Sequence, residues 1–333
     1  FANDLSHVDV PRMIEGGLSG GFFVIYTPQS DDQAAMLAHA RRRLAAIHRV
    51  VAANPQAMEI ARTAADVERI AASGKRVVLI SIENSAPLGD DLSLLQEFYD
   101  GGVRMAGPVH SKTNQLADSA TGERRWGGLS PLGRQWVTEM NRLGMVIDAS
   151  HSSDAALVQM LELSATPIIL SHSGLDAIYP HARNISDDQL RALAAKGGVL
   201  QINSVFLSRF NNSAARSPLY DQFDHIWELT PDQQLHLAAA WAALDQSERV
   251  NEGDFDLFMR ALTHCITVAG VDHCGIGADW DGGGGLAGME DVAALPRITA
   301  ALLAAGYSEA DVGKIWSGNV LRVHELRADC DGD

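Results

Sequence analysis

A chain of 333 residues has room for two average domains, yet α/β barrels of this length routinely fold as one, and no interdomain linker or low-complexity tract divides it. Its 46% hydrophobic and 20% charged residues suit a globular protein with a sizeable core. The balance of 26 Lys+Arg against 42 Asp+Glu, net −16, repels phosphate backbones and anionic lipid, which argues against nucleic-acid and membrane-surface partners.

No apolar run approaches the roughly 18–20 residues of a transmembrane helix. Cys265, Cys274 and Cys330 are odd in number and lack Cys-x-x-Cys spacing, so neither a disulfide framework nor a thiolate zinc site is expected. The chain starts at Phe1 without an initiator Met, so upstream sequence is expected to have been processed, trimmed or left out. The compartment stays undecided, with a lean to exported or periplasmic over cytoplasmic. The oligomeric state stays open, with a homodimer as the arrangement considered.

Short apolar runs alternate with longer segments of helical period, the signature of repeated β-α units around a parallel sheet. In chain order the expected strands are Gly21–Tyr26, Arg76–Ile82, Val103–Val109, Gly144–Ala149, Pro167–Ser171, Gly198–Ile202 and Gly275–Ala278. Between them Asp31–Ala53, Pro131–Leu143 and Ala155–Leu163 carry helical spacing. Ser186…Gln189 and Thr230…Gln233 have capping-box spacing, the second with Pro231 at the first helical position. The stretch of about 204–254 is too long for a simple loop, and its Leu235–Leu244 run reads as a helical insertion. Residues 1–333 are therefore read as a single domain.

In a parallel barrel the active site forms at the C-terminal ends of the strands, so the residue that follows each apolar run is informative. From the second run onward, with the fourth taken as far as Ser150, those residues are Glu83, His110, His151, His172, Asn203 and Asp279. His151 and His172 are separated by one helix plus one strand, which sets them on neighbouring strands about 4.8 Å apart. With Glu83 they form a His/His/carboxylate set that suits catalytic Zn²⁺ and leaves positions for water. Asp279 is placed to take a proton from a nucleophilic water and deliver it to the leaving nitrogen. Asp281 lies beside the Gly282–Gly285 run, past the strand, and that run lacks the Lys-Ser/Thr of a phosphate loop.

Several blocks resemble one known family. They are Gly128-Leu-Ser-Pro-Leu-Gly133, the run from Glu139 through Asp148-Ala-Ser-His151 to Asp154, Ala165-Thr-Pro-Ile-Ile-Leu-Ser-His-Ser173, His181-Ala-Arg-Asn184, Gly197-Gly-Val-Leu-Gln-Ile-Asn203 and Gly275-Ile-Gly-Ala-Asp-Trp-Asp-Gly282. Taken in order, they are similar to the signature of the membrane (renal) dipeptidases, metal-dependent peptidases of the amidohydrolase-like TIM-barrel group. The resemblance runs from His7-Val-Asp-Val-Pro-Arg12 to Asn319-Val-Leu-Arg-Val323.

It implies a (β/α)8 barrel and a two-zinc site in which Glu83 bridges the ions and His151 and His172 bind one of them. His110 would contact the substrate or its tetrahedral intermediate, Arg183 would pair with the substrate's free carboxylate, and Asp279 would be the acid/base. The implied reaction is hydrolysis of a dipeptide by a metal-held hydroxide. One departure matters. The family holds its other metal with a His-x-Asp at the end of the first barrel strand, and no such strand is visible. His7-Val-Asp9 imitates the motif, but it precedes the Gly21–Tyr26 strand, where the family has a His-Val-Asp that is not a ligand. His7 and Asp9 are read as structural, and the first strand is expected upstream of Phe1. Two alternatives stay open: an amidohydrolase acting on another small amide, lactam or modified peptide, and a catalytically weak accessory member of the family.

Overall fold

The computed structural model describes residues 6–211, 213–249 and 251–328, so Cys330 lies outside the described residues. Helix α1 (Val10–Glu15) leads into β1 (Gly20–Ile25), α2 (Gln33–Ala53), β2 (Met58–Ile60), α3 (Ala64–Ala72) and β3 (Arg76–Ile82). The alternation continues through α4 (Leu94–Asp100), β4 (Val103–Ala106), α5 (Pro131–Arg142), β5 (Val146–Ile147), α6 (Asp154–Leu163) and β6 (Ile169–Leu175). Then come β7 (Asn184–Ile185), α7 (Asp187–Ala195) and β8 (Val199–Ile202). Helices α8 (Ser217–Asp224) and α9 (Pro231–Ser247) form the expected insertion ahead of α10 (Phe255–Ala269) and β9 (Cys274–Ile276). Helices α11 (Leu295–Ala304), α12 (Glu309–Gly313) and α13 (Asn319–Ala328) complete the described chain.

Every ladder is parallel, as βαβ connections require. One sheet runs β1-β3-β4-β5 with β2 beside the start of β3, and the other runs β7-β6-β8-β9. A parallel bridge from Asp148 to Ile169 links β5 to β6, so the two sheets continue each other as the wall of a (β/α) barrel. Its strands are buried on both faces: all of β3 after Arg76 is buried, as are Leu170, Val199, Leu200 and Ile202. Trp136 and Met140 on α5 and Phe258 and Leu262 on α10 are completely buried within the main hydrophobic core.

Local chemistry sets the helix starts. Ser130 accepts from Gly133 N with Pro131 at the first helical position, and both expected capping boxes, Ser186/Gln189 and Thr230/Gln233, are formed. Asp9 caps α1 and binds Arg12 at 2.8 Å, and His7 meets Asp281 across the chain. Cys265 on α10 and Cys274 on β9 are buried free thiols whose sulfurs lie 2.8 Å apart.

The strands differ from the sequence expectation at the barrel mouth. The run Gly144–Ala149 forms a strand only at Val146–Ile147, with a single bridge added at Asp148, and the strand in Val103–Val109 ends at Ala106. Conversely, β6 continues past Ser171, so His172 sits inside a strand rather than after it. The register of β6 against β8 shifts between Leu170 and Ser173. Side chains take the amides of that shift: Ser171 N donates to Asp148 Oδ1 at 3.0 Å and His172 N donates to Ser150 Oγ at 3.1 Å. The shift is a bulge that re-aims His172. The short strands β2 and β7, of three and two residues, carry too little periodicity to be read from sequence.

Across the barrel interior Gly277 approaches β6 so closely that a Cβ there would lie 1.9 Å from the Ser171 carbonyl oxygen. Only glycine permits this contact between the segment leading to Asp279 and the strand carrying His172. Gly277→Ala is therefore expected to lower stability by about 1–3 kcal/mol or more through forced displacement. A thermal or urea unfolding curve equal to wild type would show that the two segments are not packed this way.

Candidate active site and metal centre

The strand ends bring together side chains from across the chain. Glu83 directly follows β3, His110 and His151 lie a few residues beyond β4 and β5, and His172 sits on the bulge of β6. The Nε2 atoms of His151 and His172 are 2.8 Å apart, and Glu83 Oε1 is 3.1 Å from the first and 3.5 Å from the second. His110 Nε2 is also 3.5 Å from that oxygen. Among the described residues Glu83, His151 and His172 form the one group of three or more His, Cys, Asp or Glu residues whose ligand atoms all lie close enough to hold a metal ion.

The donor set fits a cation. At 2.8 Å one nitrogen of the imidazole pair must carry a proton toward the other, or both lone pairs must face a common positive charge. A carboxylate and two imidazoles are borderline ligands of the kind zinc takes. Burial alone would raise the Glu83 carboxyl, but His110, His151 and His172 hold it well below the ordinary carboxylate range. Burial, with Arg183 and His110 beside it, pushes His151 well below the ordinary imidazole value. A neutral imidazole and an ionised carboxylate are the ligand forms a metal needs.

Asp279 lies three residues beyond β9 in a left-handed backbone conformation, φ 63°, costly for a residue with a side chain. Two amides hold the turn, with Gly282 N and Gly284 N both donating to the Asp279 carbonyl. Gly282 also leaves room for the carboxylate, since a Cβ there would lie 2.2 Å from Asp279 Oδ1. Burial pushes the Asp279 carboxyl up to about 6 even though His172 pulls it down.

Arg183 is 3% exposed, deeper than a mouth loop suggests. Its Nη2 is 3.1 Å from His151 Nε2 and 3.3 Å from the His172 carbonyl, while its Nε has no hydrogen-bond partner among the described residues. Burial lowers its pKa to about 10, so it stays a cation. Asn203, the remaining strand-end residue, is turned to structure: its Oδ1 accepts from Val205 N and Phe206 N.

Some neighbours were not singled out in the sequence. Tyr26 meets His110 edge-on at 4.8 Å and stacks on Phe223 of the insertion at 5.8 Å. Phe223 also lines a cavity of about 760 Å³ between α9 and the Gly282–Gly285 turn, next to Asp281. Asp148 and Ser171 stand behind His172; both lie in the blocks quoted from the sequence, where nothing gave either a role.

The family model for membrane dipeptidase (peptidase family M19) matches residues 2–329. The chain belongs to the membrane dipeptidase family. It is 34% identical over 328 residues to Dipeptidase tcpJ of Claviceps purpurea (strain 20.1), covering 95% of this chain and 68% of that protein. It is 30% identical to Dipeptidase aclJ of Aspergillus oryzae (strain ATCC 42149 / RIB 40), covering 95% of this chain and 69% of that protein. Among solved structures it resembles the probable dipeptidase PvdM from Pseudomonas aeruginosa, with TM-score 0.83, 30% identity and 97% and 89% of the two chains covered. A metallo peptidase from Rhodobacter sphaeroides liganded with a phosphinate mimic of the dipeptide L-Ala-D-Ala gives TM-score 0.77 at 26% identity, with 97% and 90% covered. This membrane dipeptidase relative is thus a peptide-bond hydrolase of a metallopeptidase family. Among the described residues no helix is long and apolar enough to cross a membrane.

A metal at this cluster stabilises the fold by mass action, about 2.7 kcal/mol at a free concentration a hundred times its Kd. Chelation should therefore lower the melting temperature, and divalent metal should restore it. His151→Ala and His172→Ala should each lower bound metal, measured by elemental analysis. Full metal in both variants would place the ion elsewhere.

Proposed function

We propose that this chain is a zinc-dependent dipeptidase whose metal ligands are Glu83, His151 and His172, with two zinc ions per active site and Glu83 between them. The observation that carries the reading is the convergence of two imidazole Nε2 atoms, 2.8 Å apart, on one carboxylate oxygen. The bound metal would supply Lewis acidity, activating water and polarising the scissile carbonyl. The second ion rests on the family resemblance and on the second oxygen of Glu83. In this reading residues 1–333 form one catalytic domain, and the small peptide is its partner.

Asp279 moves the proton. Its carboxyl, raised to about 6, is close enough to neutrality to accept a proton from water and to return it to the departing amine. His110, held between Glu83 and the ring of Tyr26, contacts the substrate carbonyl or its tetrahedral adduct. Arg183 holds the free carboxylate of the dipeptide through paired N–H donors. Arg183 Nη2 lies 3.1 Å from His151 Nε2, the atom that would hold the metal, and in the loaded enzyme it would be free for that carboxylate. The relative liganded with a phosphinate dipeptide mimic supports a dipeptide-sized substrate.

The depth of Arg183 favours one second reading, an amidohydrolase acting on another small amide, lactam or modified peptide. Substrate chemistry separates the two. Wild type should strongly prefer dipeptides with a free C-terminus over the same dipeptides carrying an amide. Arg183→Lys, which loses the planar fork, should lower kcat/KM for the free form about tenfold to a hundredfold. Equal cleavage of free and amidated dipeptides by wild type would hand the lead to the second reading.

Asp279→Asn should retain metal and lose roughly 10²–10⁴ in turnover, the usual size of general acid–base catalysis. Unchanged turnover with metal in place would remove Asp279 from the proton path.

A further inference from the structure

We propose that Asp148 and Ser171 are positioning residues that fix the tautomer of His172, keeping its proton on Nδ1 and its Nε2 lone pair aimed at the metal centre. The inference rests on the metal-site reading above and adds the direction in which the hydrogen bonds behind it run.

Asp148, on the buried side of the barrel mouth, accepts from four donors. Ser150 N, Ser150 Oγ and Ser171 N all donate to Oδ1, at 3.1, 2.6 and 3.0 Å. Among the described residues Oδ2 takes only the Ser171 hydroxyl, at 2.5 Å. A carboxylate only accepts, so the single proton of the Ser171 hydroxyl points to Asp148. That same hydroxyl oxygen is 2.7 Å from His172 Nδ1. Having given its proton to Asp148, it can only accept there, so Nδ1 is the nitrogen that carries hydrogen. Nε2 then keeps its lone pair for a cation in the space it shares with Glu83 and His151.

The other imidazole has no such support. Among the described residues His151 Nδ1 is buried without a hydrogen-bond partner. The relay is one-sided, and His172 is the ligand whose ring is set before any metal arrives. Outer carboxylates that orient ligand histidines in this way typically change metal affinity tenfold to a hundredfold when removed. The bulge of β6 serves the same end, since the Ser171 and His172 amides that leave the ladder bind Asp148 and Ser150 instead.

Asp148→Asn reverses the relay rather than merely cutting it. Three donors on the Oδ1 side hold the amide oxygen there, which leaves the amide N–H₂ facing Ser171 Oγ. The Ser171 hydroxyl must then donate to His172 Nδ1, and the imidazole proton moves to Nε2 with no change in the ring's net charge.

The test uses the full chain stripped by chelator. Histidine ¹⁵N spectra report the tautomer, and competition with a chromophoric chelator reports Zn²⁺ affinity. In wild type His172 should be the Nδ1–H form. In Asp148→Asn it should be the Nε2–H form, with Zn²⁺ bound about tenfold to a hundredfold more weakly. Ser171→Ala should weaken binding, and Ser171→Thr, which keeps the hydroxyl, should restore it. The double variant Asp148→Asn/Ser171→Ala should lose less than the sum of the two single losses, because both act through one relay.

Wild-type affinity in Asp148→Asn, or a weakened site in which His172 keeps Nδ1–H, would overturn the proposal. So would equal affinities for Ser171→Ala and Ser171→Thr, a comparison that stands even if Asp148→Asn fails to fold. If His172→Ala leaves Zn²⁺ binding untouched, the metal-site reading itself fails, an outcome distinct from failure of the relay.

Discussion

Two imidazole nitrogens facing each other at 2.8 Å beside a single carboxylate oxygen define this barrel mouth. Bare lone pairs repel at that distance, so the arrangement persists only where a proton or a cation sits among them. Much of the surrounding structure serves this constraint. The bulge in β6 turns His172 inward, Gly277 lets the Asp279 segment close against β6, and Arg183 adds a buried positive charge beside the histidine and glutamate cluster. The costs are local: a left-handed backbone at Asp279 and, among the described residues, a guanidinium nitrogen and an imidazole nitrogen without hydrogen-bond partners. Such departures from relaxed geometry collect where function requires a fixed constellation.

The barrel was legible because parallel strands buried on both faces read as apolar runs, and because the next polar residue marks where a strand meets the mouth. Glu83, His151 and His172 were found that way and lie together. The exact strand ends were not legible, because pairing at the mouth is decided by side chains competing for backbone amides. Ser171 and His172 look like the end of a run in sequence, yet they form a bulge inside β6, held by a carboxylate from the neighbouring strand end. No local pattern encodes a partner more than twenty residues away.

Arg183 shows the same limit from the other side. Its position eleven residues after His172, on the loop before Ser186, placed it near the mouth, but gave neither its depth nor its approach to His151. Pockets close over residues by way of neighbours that sequence spacing does not name, here including Ser173. The insertion was recognised by its length and helical period, whereas the reach of Phe223 to Tyr26, and through it toward His110, is a purely tertiary fact.

The contact between His7 and Asp281 spans 274 positions of sequence, with Asp281 Oδ1 accepting from His7 N and Asp281 N donating to His7 Nδ1. Asp281 stands two residues from Asp279 in the same left-handed turn, and the His7 carbonyl also accepts from Val292 N. A pairing of such span closes a very long loop, and chains rich in such pairings fold slowly. During synthesis the N-terminal segment must therefore wait, unpaired at this contact, until nearly the whole barrel has been made. The histidine and glutamate cluster draws on the first half of the chain and the early part of the second, whereas the turn that presents Asp279 gains its N-terminal brace only when the two ends meet. Assembly of that cluster and assembly of the Asp279 turn are thus separated in time along the nascent polypeptide.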